Sequence, residues 1–124
     1  MRGIAPVIAH PERYRQFIKD PSLINSLIKE GMLFQLNDGS IVGEFGKGVK
    51  KTVEKYLEDN IYSFIGSDTY REIGRDTNMK EALEILDENK INKFIDNGIL
   101  MLENKDVNFE GNLVKEKKKF LGIF

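Results

Sequence analysis

The only histidine of this chain, His10, closes the apolar run Pro6-Val7-Ile8-Ala9 and is followed at once by Pro11, Glu12 and Arg13. A neutral imidazole at the end of a strand can ligate a divalent metal or move a proton, and Asp68, in Ser67-Asp68-Thr69-Tyr70, can add a hard carboxylate oxygen. Arg13 and Arg75 carry planar guanidinium groups that match two oxygens of a phosphate. The plainer accounts are a locally hydrogen-bonded histidine, an aspartate capping a turn, and arginines in surface salt bridges. Spacing alone does not separate these from a metal or phosphate site. Residues 37–43, from Asn37 to Gly43, could bring backbone N–H groups close to an anion, but Asp-Gly-Ser is also ordinary turn chemistry, and the turn is the better account. Gly46-Lys47-Gly48 lacks the full phosphate-loop pattern, so no nucleotide is assigned to it.

Three short apolar runs, at 5–9, 32–36 and 61–66, must position these groups. They are separated by segments with helical periodicity, the alternation of βαβ units around a parallel sheet joined by right-handed crossovers. Each run ends in one of the polar clusters, so all three clusters fall at the carboxyl ends of the strands, where parallel α/β folds build their sites. The first helix is capped by Asp20, starts at Pro21, presents Leu23, Ile24, Leu27 and Ile28 on one face and stops at Gly31. A second is expected at 48–59, with Val49, Val53 and Leu57 on one stripe. A third is expected at 79–88 and a shorter fourth at 91–95. Residues from 104 onward read as a tail with a lysine run and aromatic ends. Three parallel strands cannot close a barrel and leave two open edges, so self-association or a missing segment is expected.

The 124 residues suit one domain with a real core. Nineteen basic residues against twenty acidic ones leave a net charge of −1, so no global field draws the chain to nucleic acid or to a membrane surface. With no cysteine, disulfides and thiolate nucleophiles are excluded, which fits a reducing cytoplasm. No apolar stretch is long enough to span a bilayer, and residues 1–10 lack the pattern of a secretory signal, so the chain reads as soluble.

These residues resemble a known family, the metal-dependent tyrosine phosphatases of bacterial capsule and exopolysaccharide operons, within the polymerase-and-histidinol-phosphatase (PHP) superfamily. The resemblance rests on Pro6-Val7-Ile8-Ala9-His10-Pro11-Glu12-Arg13-Tyr14 and on Gln35-Leu36-Asn37-Asp38-Gly39-Ser40-Ile41-Val42-Gly43-Glu44-Phe45-Gly46. It extends to Phe64-Ile65-Gly66-Ser67-Asp68 followed by Arg75, and to the ending Lys119-Phe120-Leu121-Gly122-Ile123-Phe124. It covers essentially all of this chain, but only the C-terminal half of a family member. It implies an α/β fold that is half of a distorted PHP-type (β/α) barrel, parallel strands with flanking helices, over 1–104, with a basic and aromatic tail at 105–124.

Such enzymes use three metals, usually taken to be manganese (Mn2+), to bind the phosphate and present a hydroxide to phosphorus, while arginines steady the transferred group. The resemblance makes His10 and Asp68 metal ligands and Arg13 and Arg75 catalytic phosphate-site residues. It implies a phosphorylated bacterial tyrosine kinase as partner and a part in controlling capsule or exopolysaccharide synthesis. Two departures bear on activity. Tyr70 stands where the family has a second metal-binding histidine, and a phenol with a pKa of about 10 must lose its proton to ligate strongly. The family's paired His-X-His ligands and further acidic and histidine ligands belong to an N-terminal half outside these residues. The isolated chain is therefore expected to show little or no turnover, unless another polypeptide supplies that half. The alternative is a non-catalytic remnant or binding module that keeps a kinase- or phosphate-binding surface through Arg13 and Arg75. Met1 directly precedes Arg2-Gly3, which already lies within a family motif, so an internal start, a split gene and a fragment all fit.

Overall fold

A computed structural model describes residues 6–67 and 77–116 of the chain. Asp68, Tyr70 and Arg75 lie outside the described residues, as do residues 117–124 with the terminal aromatic groups. Strands β1 (Val7–Ala9), β2 (Leu33–Asn37) and β3 (Phe64–Gly66) form one parallel sheet in the order β1-β2-β3. Ile8 stands opposite Phe34, and Leu36 opposite Ile65. The helices are α1 (Arg15–Lys19), α2 (Asn25–Lys29), α3 (Asp38–Ile41), α4 (Lys47–Glu58), α5 (Thr77–Ile85) and α6 (Glu88–Leu102). The expected mixed α/β architecture with parallel strands is present.

Local chemistry accounts for most boundaries. Asp20 accepts from the backbone N–H of Ser22 at 3.2 Å and from its hydroxyl at 2.7 Å, which starts a 3-10 turn at Pro21–Ile24 that leads into α2. The single helix expected here is thus a 3-10 turn followed by a short α-helix, ended as expected by Gly31 at φ 87°. In α4, Val49, Thr52, Val53 and Tyr56 turn inward, and Lys50, Lys51 and Glu54 face solvent.

Two helices differ from expectation. α1 was not anticipated, since its five residues show too little periodicity to announce it. The fourth helix, expected to be short, is the longest described, at 15 residues. Asp87 caps it by accepting from the N–H of Lys90 at 2.9 Å, and Phe94 buries against the core.

The core is one cluster that includes Ile24, Phe34, Leu36, Val53, Tyr56, Ile61 and Ala82, each at 0 % exposure. Burial of a large apolar side chain contributes about 1.5–3 kcal/mol, so these central positions outweigh any single polar contact. The expected tail is partly built into the fold. Val114 is buried, and its backbone N–H and C=O are both held at 2.8 Å by the side chain of Asn25. The N–H of Asn112 reaches the carbonyl of Asp59 at 2.9 Å. Gly111 runs so close beneath Asn60 that a Cβ there would collide with the Asn60 carbonyl. Among the described residues, no helix is long and apolar enough to cross a membrane.

Candidate functional site

The site begins where β1 ends. His10 still belongs to the ladder, its N–H donating to the carbonyl of Gln35 at 2.9 Å. Pro11 then opens a 3-10 turn, Pro11–Arg13, closed by the N–H of Arg13 on the His10 carbonyl at 3.0 Å. Meeting both demands puts His10 in the left-handed region, at φ 39° and ψ 56°. A non-glycine residue there costs on the order of 1–2 kcal/mol, and such strain gathers at functional positions. The His10 Nδ1 is buried and has no hydrogen-bond partner among the described residues. Tyr14 meets the imidazole edge-on at 6.3 Å between ring centroids and stacks on Phe17 at 5.6 Å.

Glu12, two residues on, is wholly buried. Its Oε1 accepts from the Tyr62 hydroxyl at 2.8 Å and its Oε2 from the backbone N–H of Asn37 at 3.1 Å. One carboxylate thereby ties the turn after β1 to the end of β2 and to the segment entering β3. Burial, followed by the Glu12 charge and hydrogen bond, pushes the Tyr62 phenol well above its ordinary pKa. The sequence reading quoted Glu12 only as part of a motif. The signal that could have found it is an acid between a proline and an arginine, where no solvated helix face accounts for it.

Arg13 lies with its guanidinium carbon 4.0 Å from the centroid of the Phe45 ring. The path to Phe45 runs through α3. Asn37 caps that turn, its Oδ1 accepting from the N–H of Gly39 at 3.0 Å, and the N–H of Glu44 returns to the Gly39 carbonyl at 2.9 Å. Gly39 is needed for closeness: a Cβ would collide with the Glu44 carboxylate and stand 3.0 Å from the Phe45 ring. Asn78 Nδ2 holds that carboxylate at 2.9 Å. The turn expected at 37–43 is therefore a one-turn helix whose Asp38 and Ser40 are buried. The Ser40 Oγ finds no hydrogen-bond partner among the described residues.

His10 and Arg13 thus share one rim with α3 and Phe45 at the carboxyl ends of β1 and β2. Asp68 and Arg75, the other two residues named from the sequence, lie outside the described residues. As donors for a metal, the described rim offers His10, with a buried and unengaged ring nitrogen, and in α3 the buried carboxylate of Asp38. Both Glu12 oxygens are already occupied, and among the described residues no three His, Cys, Asp or Glu side chains gather as a metal site. His10 has the chemistry of a single metal ligand, and the described residues do not complete a site around it. A separate cleft of about 500 Å³, lined by Lys19, Lys51, Thr52, Lys55 and Lys115 among others, includes neither His10 nor Arg13.

Comparison with known proteins bears on this rim. Residues 1–107 match the family model described as capsular polysaccharide synthesis, CpsB/CapC. Tyrosine-protein phosphatase YwqE of Bacillus subtilis is 31 % identical over 128 aligned positions, covering all of this chain and 50 % of its own length. A putative tyrosine-protein phosphatase, CapC of Staphylococcus aureus, is 30 % identical over 114, covering 85 % of this chain and 43 % of its own. Among solved structures, one from a study of YwqE from Bacillus subtilis and CpsB from Streptococcus pneumoniae, described as unique metal-dependent tyrosine phosphatases, superimposes with a TM-score of 0.75. It is 32 % identical, over 94 % of this chain and 48 % of that one. The chain spans about half the length of the curated relatives it matches most fully, and it belongs to the CpsB/CapC capsular polysaccharide synthesis family.

Proposed function

We propose that this chain is the C-terminal part of a PHP-type barrel acting as a manganese-dependent phosphotyrosine-protein phosphatase. In this reading it works in the cytoplasm on a phosphorylated tyrosine kinase that governs capsule or exopolysaccharide synthesis. The observation that carries the proposal is His10, held in a strained left-handed turn at a strand end with a buried ring nitrogen left unengaged. A histidine kept only for packing would have its polar atoms satisfied. His10 and Asp68 would hold metal, which when bound lowers the pKa of a water and screens phosphate charge. Arg13 and Arg75 would bind the phosphate oxygens. The Phe45 ring fixes the Arg13 guanidinium in advance, so less rotamer entropy is lost when phosphate arrives. Glu12 fixes the turn that carries both groups.

As the chain holds one histidine, its imidazole gives a single set of NMR signals that paramagnetic Mn2+ would broaden on ligation. Broadening at His10 that weakens in Asp68→Asn is the expected result, together with phosphotyrosine-peptide turnover below about one per second for the chain alone. Tyr70→His is expected to strengthen metal binding. Mn2+ that broadens exposed carboxylates but leaves His10 sharp would sink the metal assignment. Peptide hydrolysis undiminished in His10→Ala would do the same. Tyr70 favours a second reading, a phosphate-binding module without turnover. That reading predicts peptide binding unchanged by a chelator and lost in Arg13→Ala.

A further inference from the structure

The cleft of about 500 Å³ that lies apart from the rim is bounded by α1, the 3-10 turn at 21–24, one side of α4 and residues 114–116. α1 and α4 meet closely at its wall because residue 48 is glycine: a Cβ there would stand 3.3 Å from Ile18 Cγ2. The inner lining is apolar or already satisfied. Ile18 and Pro21 are half-buried, Val114 is buried, and the Thr52 hydroxyl donates to the Gly48 carbonyl at 2.9 Å. The mouth is cationic. Lys19, Lys51 and Lys115 are exposed and form no ion pair among the described residues, while half-buried Lys55 is shared between Glu58 and Asp59. Two acids also line the cleft: Asp20 is engaged by the N–H and hydroxyl of Ser22, and Glu116 is exposed. In a chain whose 19 basic residues nearly balance 20 acidic ones, four lysines around one hollow are a local excess of positive charge.

We infer that this cleft binds an acidic peptide segment of a partner protein, with one apolar side chain on Ile18, Pro21 and Val114 and its carboxylates on the surrounding ammonium groups. Three observations set the class of occupant. The volume falls among those of concave sites that enclose small ligands. A hollow that is apolar within and charged only at its mouth calls for a ligand divided in the same way, which an inorganic anion is not. Lysine is a hydrated point charge on a flexible stem, without the fork by which arginine grips a phosphate, so four of them suit single carboxylates spaced along a chain. α1, five residues long, joins the rim turn to the cleft, so a partner seated here brings its neighbouring residues toward the rim. The inference goes beyond the phosphatase reading and does not depend on it, because its readout is binding without metal or phosphate.

The test is titration of the full 124-residue chain into a fluorescein-labelled peptide of glutamates around a single leucine, at low salt and without metal, followed by anisotropy. Binding is expected, with amide shift changes in 18–22, 48–55 and 114–116. Lys19→Glu with Lys51→Glu should weaken it by about tenfold or more, and replacing the peptide's leucine by glycine should weaken it several-fold. Lys29→Glu with Lys105→Glu changes the net charge equally outside the cleft lining and should leave the affinity within about twofold. All four lysines are exposed, so circular dichroism should be unchanged in both variants. Absence of binding would overturn the inference, as would equal loss in the two double variants, which would leave only diffuse surface charge. Displacement of the peptide by inorganic phosphate at equal concentration would overturn it by making the cleft a phosphate site. Binding lost in Arg13→Ala and kept in Lys19→Glu with Lys51→Glu would also overturn it, since the peptide would then sit on the rim.

Discussion

The rim at the carboxyl ends of β1 and β2 and the seam where residues 110–114 dock differ in how they hold their buried polar groups. In the seam the side chains of Asn25, Asn60 and Lys93 all find hydrogen-bond partners. Asn25 engages both backbone groups of Val114, Asn60 Nδ2 donates to the Glu110 carbonyl at 3.2 Å, and Lys93 reaches Asn60 Oδ1 at 2.6 Å. Asp59 is the seam's exception: its Oδ2 lies 3.6 Å from the Lys55 ammonium as an ion pair but is buried with no hydrogen-bond partner among the described residues. At the rim, His10 is strained and the His10 Nδ1 and Ser40 Oγ are buried without described partners. Closed polar networks hold a fold together, and what sets the rim apart is an open buried nitrogen on a residue whose backbone is itself strained. Glu12 is the exception that clarifies the rule. It lies within the rim motif, but both its oxygens are satisfied, so its role is to hold the rim in place.

That contrast can be broken at four points. Glu12→Ala removes the acceptor of a buried hydroxyl and a buried N–H and leaves a cavity. Its cost, read from denaturant midpoints, should be about 3 kcal/mol or more; a loss below about 1 kcal/mol would show that Glu12 does not anchor the rim. Asn25→Ala deletes two buried hydrogen bonds and should cost about 2 kcal/mol. Amide exchange in residues 111–116 should quicken with it, and unchanged protection there would mean that the seam is held by Val114 packing alone.

A smaller effect is expected at Lys93. Burial, with the Lys90 charge adding and Glu110 opposing, lowers its ammonium from 10.5 to about 8. The folded state then holds this proton less tightly than the unfolded state, so stability should rise as pH goes from about 8 toward 10. Above about 10 the trend should reverse. Burial, and next Glu12, raise the phenols of Tyr56 and Tyr62, so the unfolded state ionises first. Lys93→Met should flatten the lower part of a stability-against-pH curve, and an unaltered slope would discount its burial. The smallest change is His10→Gly, which relieves the left-handed strain and should leave stability within about 1 kcal/mol of the parent, on the favourable side. Destabilisation beyond that would make His10 a structural residue and erase the difference between rim and seam.

How much of this was legible without the fold depends on how far apart the interacting residues stand. Strand positions, the Asp20 cap, the Gly31 stop and the placement of the first two polar clusters at one end of a parallel sheet were readable, because period, capping and turn chemistry act within a few residues. α6 runs well beyond the 91–95 expected from the sequence, through Asp96-Asn97-Gly98, three residues of low helix propensity. Packing of Phe94 and the bond from Asn97 to the Ser63 carbonyl carry the helix through them, since tertiary burial outweighs a local propensity of about 1 kcal/mol. His10 and Arg13 are candidates by residue type, and only the resemblance to the phosphatase family gives them site roles. The left-handed turn at His10, the Glu12 bridge to Asn37 and Tyr62, Arg13 over Phe45, and Asn25 on Val114 were decided by the tertiary structure alone. These contacts join positions 25, 50 and 89 residues apart, or set a backbone angle by two competing hydrogen bonds, and no spacing rule along a chain encodes which distant groups will meet.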